Sequence, residues 1–201
     1  MKTLHLLTLS LVAIMMLSMN EQLIDIVQDY LGMGKEVVFN DKKYILSWSS
    51  NPSTNYYKQE YLINANESNP KRSMIITECL DANISLNDAV EYKKNELDKR
   101  KKWDFVANYT VYTNEDKKDE AIIDFVISDT MTNYEWNLYR FQKQKGKDNK
   151  SRLVLFAYSF KDSLNDNSDL KVFFDNIKNN RVKMINSLQS FKIPVVTILK
   201  N

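Results

Sequence analysis

The chain has 201 residues, of which 43% are hydrophobic, 11% aromatic and 27% charged; that size and balance suit one domain with its own core and exclude a disordered polymer. Its formal net charge is +2, and Lys2 is the only charged residue before Glu21, so the remainder carries about +1. Near-neutrality excludes the basic excess on which general nucleic-acid binding, or a general pull toward anionic membranes, depends.

In chain order, a targeting segment comes first. Met1-Lys2-Thr3 precedes a nearly unbroken apolar run from Leu4 to Leu17, with a polar exit at Ser18-Met19-Asn20. One cation, an apolar core and a polar exit make the pattern of a secretory signal peptide over residues 1–19. At about fourteen residues, the run is shorter than the roughly twenty a membrane-spanning helix needs, so no stable span is expected after cleavage. Met16-Leu17-Ser18 does not fit the small-x-small rule, which leaves the cut position open. Retention as an anchor is the alternative, because Glu21 to Leu31 is also helix-compatible. No cysteine follows the run, which excludes a bacterial lipoprotein anchor. Residues 20–201 then read as a single α+β domain, exported to the periplasm or beyond the cell.

Apolar residues at 23, 27, 30 and 31 predict a short helix stopped by Gly32 and Gly34. Strands follow at Val37 to Phe39 and Tyr44 to Trp48 around the turn Asn40-Asp41. A third runs from Tyr56 to Ile63 after the loop Ser49 to Asn55, and a fourth from Ser73 to Leu80. Ser85 is a good helix N-cap, with Asp88 completing a capping-box pattern. Leu86, Val90 and Leu97 share one face of that helix, which Lys99-Arg100-Lys101-Lys102 closes. Such a run can read as a nucleic-acid patch, but cations at a helix C-terminus are stabilising and solvated, and that reading is preferred.

Four strands at hairpin spacing come next: Phe105 to Thr113, Glu120 to Ser128, Tyr134 to Gln142 and Arg152 to Phe160. This meander predicts an antiparallel sheet. In Ala121-Ile122-Ile123-Asp124-Phe125-Val126-Ile127 neither parity is polar throughout, so both sheet faces need cover. A long C-terminal helix, capped by Asn167 or Ser168, carries Leu170, Phe173, Phe174, Ile177, Met184, Ile185 and Leu188 at helical spacing. Only Arg181 breaks the stripe, Asn179-Asn180 marks a candidate kink, and Val195 to Leu199 is a candidate last strand. The expected architecture is an antiparallel β-sheet covered by helices on both faces, an α/β/α sandwich.

From about Val37 to Ile193 this order of elements resembles the PsbP-like α/β/α sandwich. Met184-Ile185-Asn186-Ser187-Leu188-Gln189-Ser190-Phe191-Lys192-Ile193 is similar to that family's closing apolar helix followed by Ser-Phe. The resemblance implies a sheet between helices and a binding or accessory role beside membrane complexes.

The chemistry is bounded by what is missing. The only histidine is His5, inside the signal segment, the only cysteine is Cys79, and the glycines are Gly32, Gly34 and Gly146. Histidine-based nucleophilic catalysis, His- or thiolate-bound metal sites, and phosphate-cradling glycine loops therefore have no residues to build them. No metal and no cofactor are expected. Cys79 lies in an apolar run and reads as a buried structural thiol. Asp124 and Glu135 fall on neighbouring strands and form a candidate carboxylate pair for a hydrolase; solvation, or pairing with Arg140, is the preferred reading. Asn165-Asp166-Asn167-Ser168-Asp169 has part of a calcium-loop pattern but lacks its glycine and terminal glutamate. The sequons at Asn66, Asn83, Asn108 and Asn149 matter only in a glycosylating host, and the Lys- and Asn-rich composition reads as bacterial.

Aromatic residues cluster at Trp48, Tyr56, Tyr57 and Tyr61, and again at Tyr134, Trp136 and Tyr139. Trp and Tyr dominate binding hot spots, so Tyr56 and Tyr57, as an exposed pair, together with Tyr61 are the candidate binding residues. The expectation for function is an exported, non-enzymatic binding or accessory protein for a protein or cell-envelope partner. A small-molecule binder with a pocket between sheet and helix is the alternative, and a carboxylate-based hydrolase a weaker one. A flat apolar patch would favour a protein partner, a concave pocket with converging polar groups a ligand.

Overall fold

A computed structural model describes residues 27–63, 73–113, 119–129, 132–146, 148–163 and 167–199. The signal segment at 1–19, the sequon at Asn66 and the acidic stretch at Asn165-Asp166 lie outside these residues, as do the side chains of the expected caps at 167 and 168. Four strands come first: β1 (Glu36–Phe39), β2 (Lys42–Ser53), β3 (Tyr56–Ile63) and β4 (Ser73–Leu80). Helix α1 (Leu86–Arg100) leads to β5 (Asn108–Thr113), β6 (Glu120–Ser128), β7 (Asn133–Lys145) and β8 (Ser151–Ser163), and α2 (Asn167–Ser190) follows. The strands form one sheet in the order β1-β2-β3-β4-β8-β7-β6-β5, with every neighbour antiparallel.

Local chemistry explains most of the boundaries. Asn40 and Asp41 both take positive φ, at 48° and 62°, which is the two-residue hairpin geometry these residue types tolerate. Ser85 caps α1, its Oγ accepting from the Asp88 N–H at 3.0 Å. Residues 27–31 are not helical. Instead the Asp29 carboxylate accepts from the N–H groups of Leu31, Met33 and Gly34 at 3.2, 3.3 and 2.7 Å, a local turn that competes with a helix for the same donors. Gly32 has φ +62° there, and a Cβ would lie 3.0 Å from the Thr197 carbonyl oxygen, so the returning C-terminal tail requires glycine. That tail, 195–199, is not a strand, but Thr197 and Leu199 donate to the carbonyls of Leu31 and Tyr30. Helix α2 runs through Asn179-Asn180 without a break.

The expected α/β/α sandwich is not the fold. Among the described residues, strand accounts for 48% and helix for 25%, and eight strands make a strongly curled antiparallel half-barrel with two helices. Eight strands at about 4.8 Å spacing are roughly 34 Å across, whereas a helix is about 10 Å wide. Helix α1 packs chiefly on β5, β6 and β7, and α2 chiefly on β7, so neither face is roofed. Curling closes the rest. In a flat sheet the four spacings from β1 to β8 would set those strands about 19 Å apart. Yet the Phe39 ring on β1 lies 5.9 Å from Phe156 on β8, and both meet Phe191, at 5.7 and 4.4 Å. Register shifts in the β2–β3 ladder between Leu46/Trp48 and Ser50/Ser53 are bulges that bend and twist a strand. They also carry β2 through residues 49–53, where the sequence reads as loop.

Alternation divides the side chains into two cores. The inner core gathers Phe39, Tyr44, Tyr61, Trp136 and Phe156 with Phe173, Ile177 and Leu188 of α2. The outer core sets Val90 and Leu97 of α1 against Ile123, Phe125, Leu153 and Leu155. Among the α2 residues expected in the core, Phe173, Ile177 and Leu188 are buried, but Phe174 is 37% exposed. The last turn of α2 has no basic residue of its own. Arg140 of β7 serves it instead, donating from Nη1 to the carbonyls of Leu188 and Phe191 at 2.7 and 2.6 Å while pairing with Glu120 at 2.8 Å. A cation at a helix C-terminus satisfies carbonyls that lack helical partners.

Candidate functional site

On the outer face, between α1 and the sheet, lies a cavity of about 630 Å³. Its floor is set by strand alternation, which puts every second residue on one face. Tyr56 of β3, Glu78 and Leu80 of β4, Leu153 and Leu155 of β8, and Tyr139 and Phe141 of β7 point into it. Glu78 stands opposite Lys58 on one side and Leu155 on the other. The roof is one stripe of α1, where Ala89, Tyr92, Lys93 and Glu96 recur at helical spacing.

The polar groups of this cavity are the charges of Glu78, Asp88, Lys93 and Glu96 and the phenols of Tyr56, Tyr92 and Tyr139. Tyr56 stands beside the Glu78 carboxylate. Burial pushes the Glu78 carboxyl above its ordinary value; the Tyr56 phenol and the charges of Lys58 and Lys93 oppose the rise without cancelling it, and Glu60 adds to it. The Tyr56 phenol is driven up by burial and by Glu78, and that of Tyr139 by burial and the acidic neighbours Glu78, Glu135 and Glu96. Both lysines near Glu78 are engaged elsewhere. Lys58 pairs with Glu60 at 3.0 Å. Lys93 pairs with Glu96 at 2.9 Å and sits 4.8 and 5.0 Å from the ring centres of Phe125 and Tyr139. Among the described residues, no cation lies within ion-pair distance of Glu78.

The tyrosines expected to bind fare differently. Tyr57 is 5% and Tyr61 0% exposed, so the exposed pair does not exist. Tyr57 packs on the Tyr30 ring and donates to the Thr54 carbonyl. Tyr61 accepts from Gln59 Nε2 at 2.7 Å and donates to the Gly34 carbonyl, while Gln59 Oε1 accepts from the Leu31 N–H. Both are fastenings of the inner core. Tyr56 alone, with the opposite parity, faces the cavity. Glu78 was not singled out in the sequence, although a carboxylate inside the apolar run 74–80 was a visible anomaly.

The candidate carboxylate pair is not assembled. Asp124 is opposite Leu138, and Glu135 is opposite Ile127, which puts them on opposite faces. Asp124 is fully buried, accepts from Trp136 Nε1 at 2.8 Å and lies 2.7 Å from Arg181 Nε. Its partner is thus the arginine that breaks the α2 stripe, not Arg140, and it is not solvated. Glu135 accepts from the Ser159 hydroxyl and pairs with Lys161. In the basic run that closes α1, Arg100 is committed to Asp104 and Asp129 and to the Ser128 carbonyl. Cys79 is a buried free thiol whose pKa burial pushes up to about 12. Among the described residues no group of three or more His, Cys, Asp or Glu is placed to hold a metal ion, and no helix is long and apolar enough to cross a membrane.

A protein-family model matches residues 31–193, a stretch that contains every residue of the cavity. No curated protein and no solved structure matches the chain.

Proposed function

The chain belongs to that uncharacterised family, and we propose that its domain is a non-enzymatic binding module that holds a small, largely apolar molecule between α1 and the sheet. One observation carries this reading: the cavity is concave, about 630 Å³, with aliphatic and aromatic walls and polar groups that converge on Glu78 and Lys93. Ligand sites span roughly 300–1,000 Å³ and have that kind of lining. A flat protein-binding face has less support, since the large exposed apolar side chains are spread over β1, β2, α1, the loop after it, β5, α2 and the tail. Turnover has less support too, because Asp124 and Glu135 are parted by the sheet. Export, inferred from residues 1–19, would put the binding step outside the cytoplasm.

The test is titration of the mature protein with the neutral fluorophore N-phenyl-1-naphthylamine. Wild type should bind it with a blue-shifted, saturable emission, and Ala89→Trp, which fills the cavity from the half-buried face of α1, should abolish that binding with unchanged far-UV circular dichroism. Absence of saturable binding by wild type, or undiminished binding by a folded Ala89→Trp, overturns the reading.

A further inference from the structure

We infer that the ligand of this cavity is an organic cation, an amine with an apolar body, whose ammonium is received by Glu78 between Tyr56 and Tyr139. The inference rests on the cavity being a binding site and adds the charge of what enters it.

The charge census of the lining points one way. Three acids, Glu78, Asp88 and Glu96, face a single base, Lys93. That lysine is an internal example of the recognition: its ammonium is held by a carboxylate at 2.9 Å and by the Phe125 and Tyr139 rings at 4.8 and 5.0 Å. Carboxylates and ring faces together attract cations, the rings through their quadrupoles. Glu78 and Asp88 are the acids of this set without a cation among the described residues, and Asp88 is exposed on α1 whereas Glu78 lies half-buried on the floor. Its neighbours on β3 are Tyr56, Lys58 and Glu60, on α1 Lys93 and Glu96, and on β7 Tyr139 and Glu135; β8 offers only Leu153 and Leu155. Both lysines in that ring are already paired with other glutamates.

An occupant that displaces water from the floor removes the solvation of Glu78 as well. A neutral molecule would leave a desolvated carboxylate uncompensated, and an anion would add repulsion from three acids. An ammonium turns the same burial into a charge-assisted hydrogen bond. The raised Glu78 pKa fits this, because burial, only partly offset by the charges of Lys58 and Lys93, favours the protonated carboxyl. Affinity for the cation should therefore weaken on acidification, beginning above the ordinary glutamate value of about 4.3.

Calorimetric titration with n-octylammonium, 1-octanol and n-octanoate separates the outcomes. Wild type at pH 7 should bind octylammonium about tenfold or more tighter than octanol, from one charged hydrogen bond, with octanoate weakest. Glu78→Gln should erase the preference, weakening octylammonium and tightening octanol, because no carboxylate is then desolvated. Lys93→Gln, which removes the internal competitor, should tighten octylammonium binding. Equal affinities for the three probes, or a cation preference that survives Glu78→Gln, overturns the inference while the cavity remains a binding site. Failure of all three probes and of N-phenyl-1-naphthylamine overturns the binding reading itself.

Discussion

Phe173 is 1% exposed and packs on the rings of Tyr134 and Phe160, whereas Phe174 is 37% exposed and turns an edge to Tyr134. Phe173→Ala should cost about 3–5 kcal/mol, the range for a buried phenylalanine, and Phe174→Ala about 1 kcal/mol or less because half-exposed rings lose little. Urea denaturation midpoints of the two variants measure the difference. Helical spacing marks both residues as apolar-stripe members and does not say which lies at its edge. Asp124 and Glu135 illustrate a second residue-scale limit. Whether two carboxylates on neighbouring strands share a face depends on register, and a slip of one residue reverses every side chain. Arg181 was visible as the one charge in the α2 stripe, and the buried Asp124 accounts for it.

At the scale of elements, strand cores and the start of α1 were legible because alternation and capping are local. The ends were not. Strand β5 begins at Asn108 and not at Phe105, because Asp104 draws the chain into a turn first. Its buried carboxylate accepts from the Ser128 N–H at 2.7 Å and hydroxyl at 2.8 Å, the Val106 N–H at 3.2 Å and Arg100 Nε at 2.9 Å. These partners join the end of α1 to the end of β6. Burial alone would raise the Asp104 pKa, but the bonds from Ser128, Arg100 and Val106 outweigh it and hold the carboxyl below the ordinary value. A lowered folded-state pKa gives stability that is present above the unfolded value of about 3.9 and lost as pH falls through the folded one. Stability measured from pH 6 to 2 should therefore drop below about pH 4, and Asp104→Asn should be less stable at pH 6 with a shallower drop. An Asp104→Asn profile parallel to wild type would show that Asp104 takes no part in acid unfolding.

The curl belongs to the whole molecule and has no local signature. Apolar residues on both parities of β6 and β8 say that two faces need cover; they do not say whether helices or the sheet itself provide it. Bulges in β2 and the meeting of β1 with β8 and with Phe191 after α2 decide for the sheet, and the second is a long-range fact. The cavity was hidden for the same reason, since its walls come from residues 56 to 155 and only the folded sheet brings α1 over Glu78. The curl can be tested through pairs that a flat sheet would keep apart. Phe39 and Phe156 are separated by three intervening strands, yet their rings are 5.9 Å apart at an interplanar angle of 63°. Aromatic pairs in such geometry are worth about 0.5–1.5 kcal/mol beyond their burial, while sites more than roughly 7–10 Å apart are additive to within about 0.3–0.5 kcal/mol. A double-mutant cycle of Phe39→Leu and Phe156→Leu, read by urea denaturation, should give a coupling of about 0.5–1.5 kcal/mol. Strict additivity would mean that β1 does not fold over β8, and that the sheet is open where the half-barrel closes it.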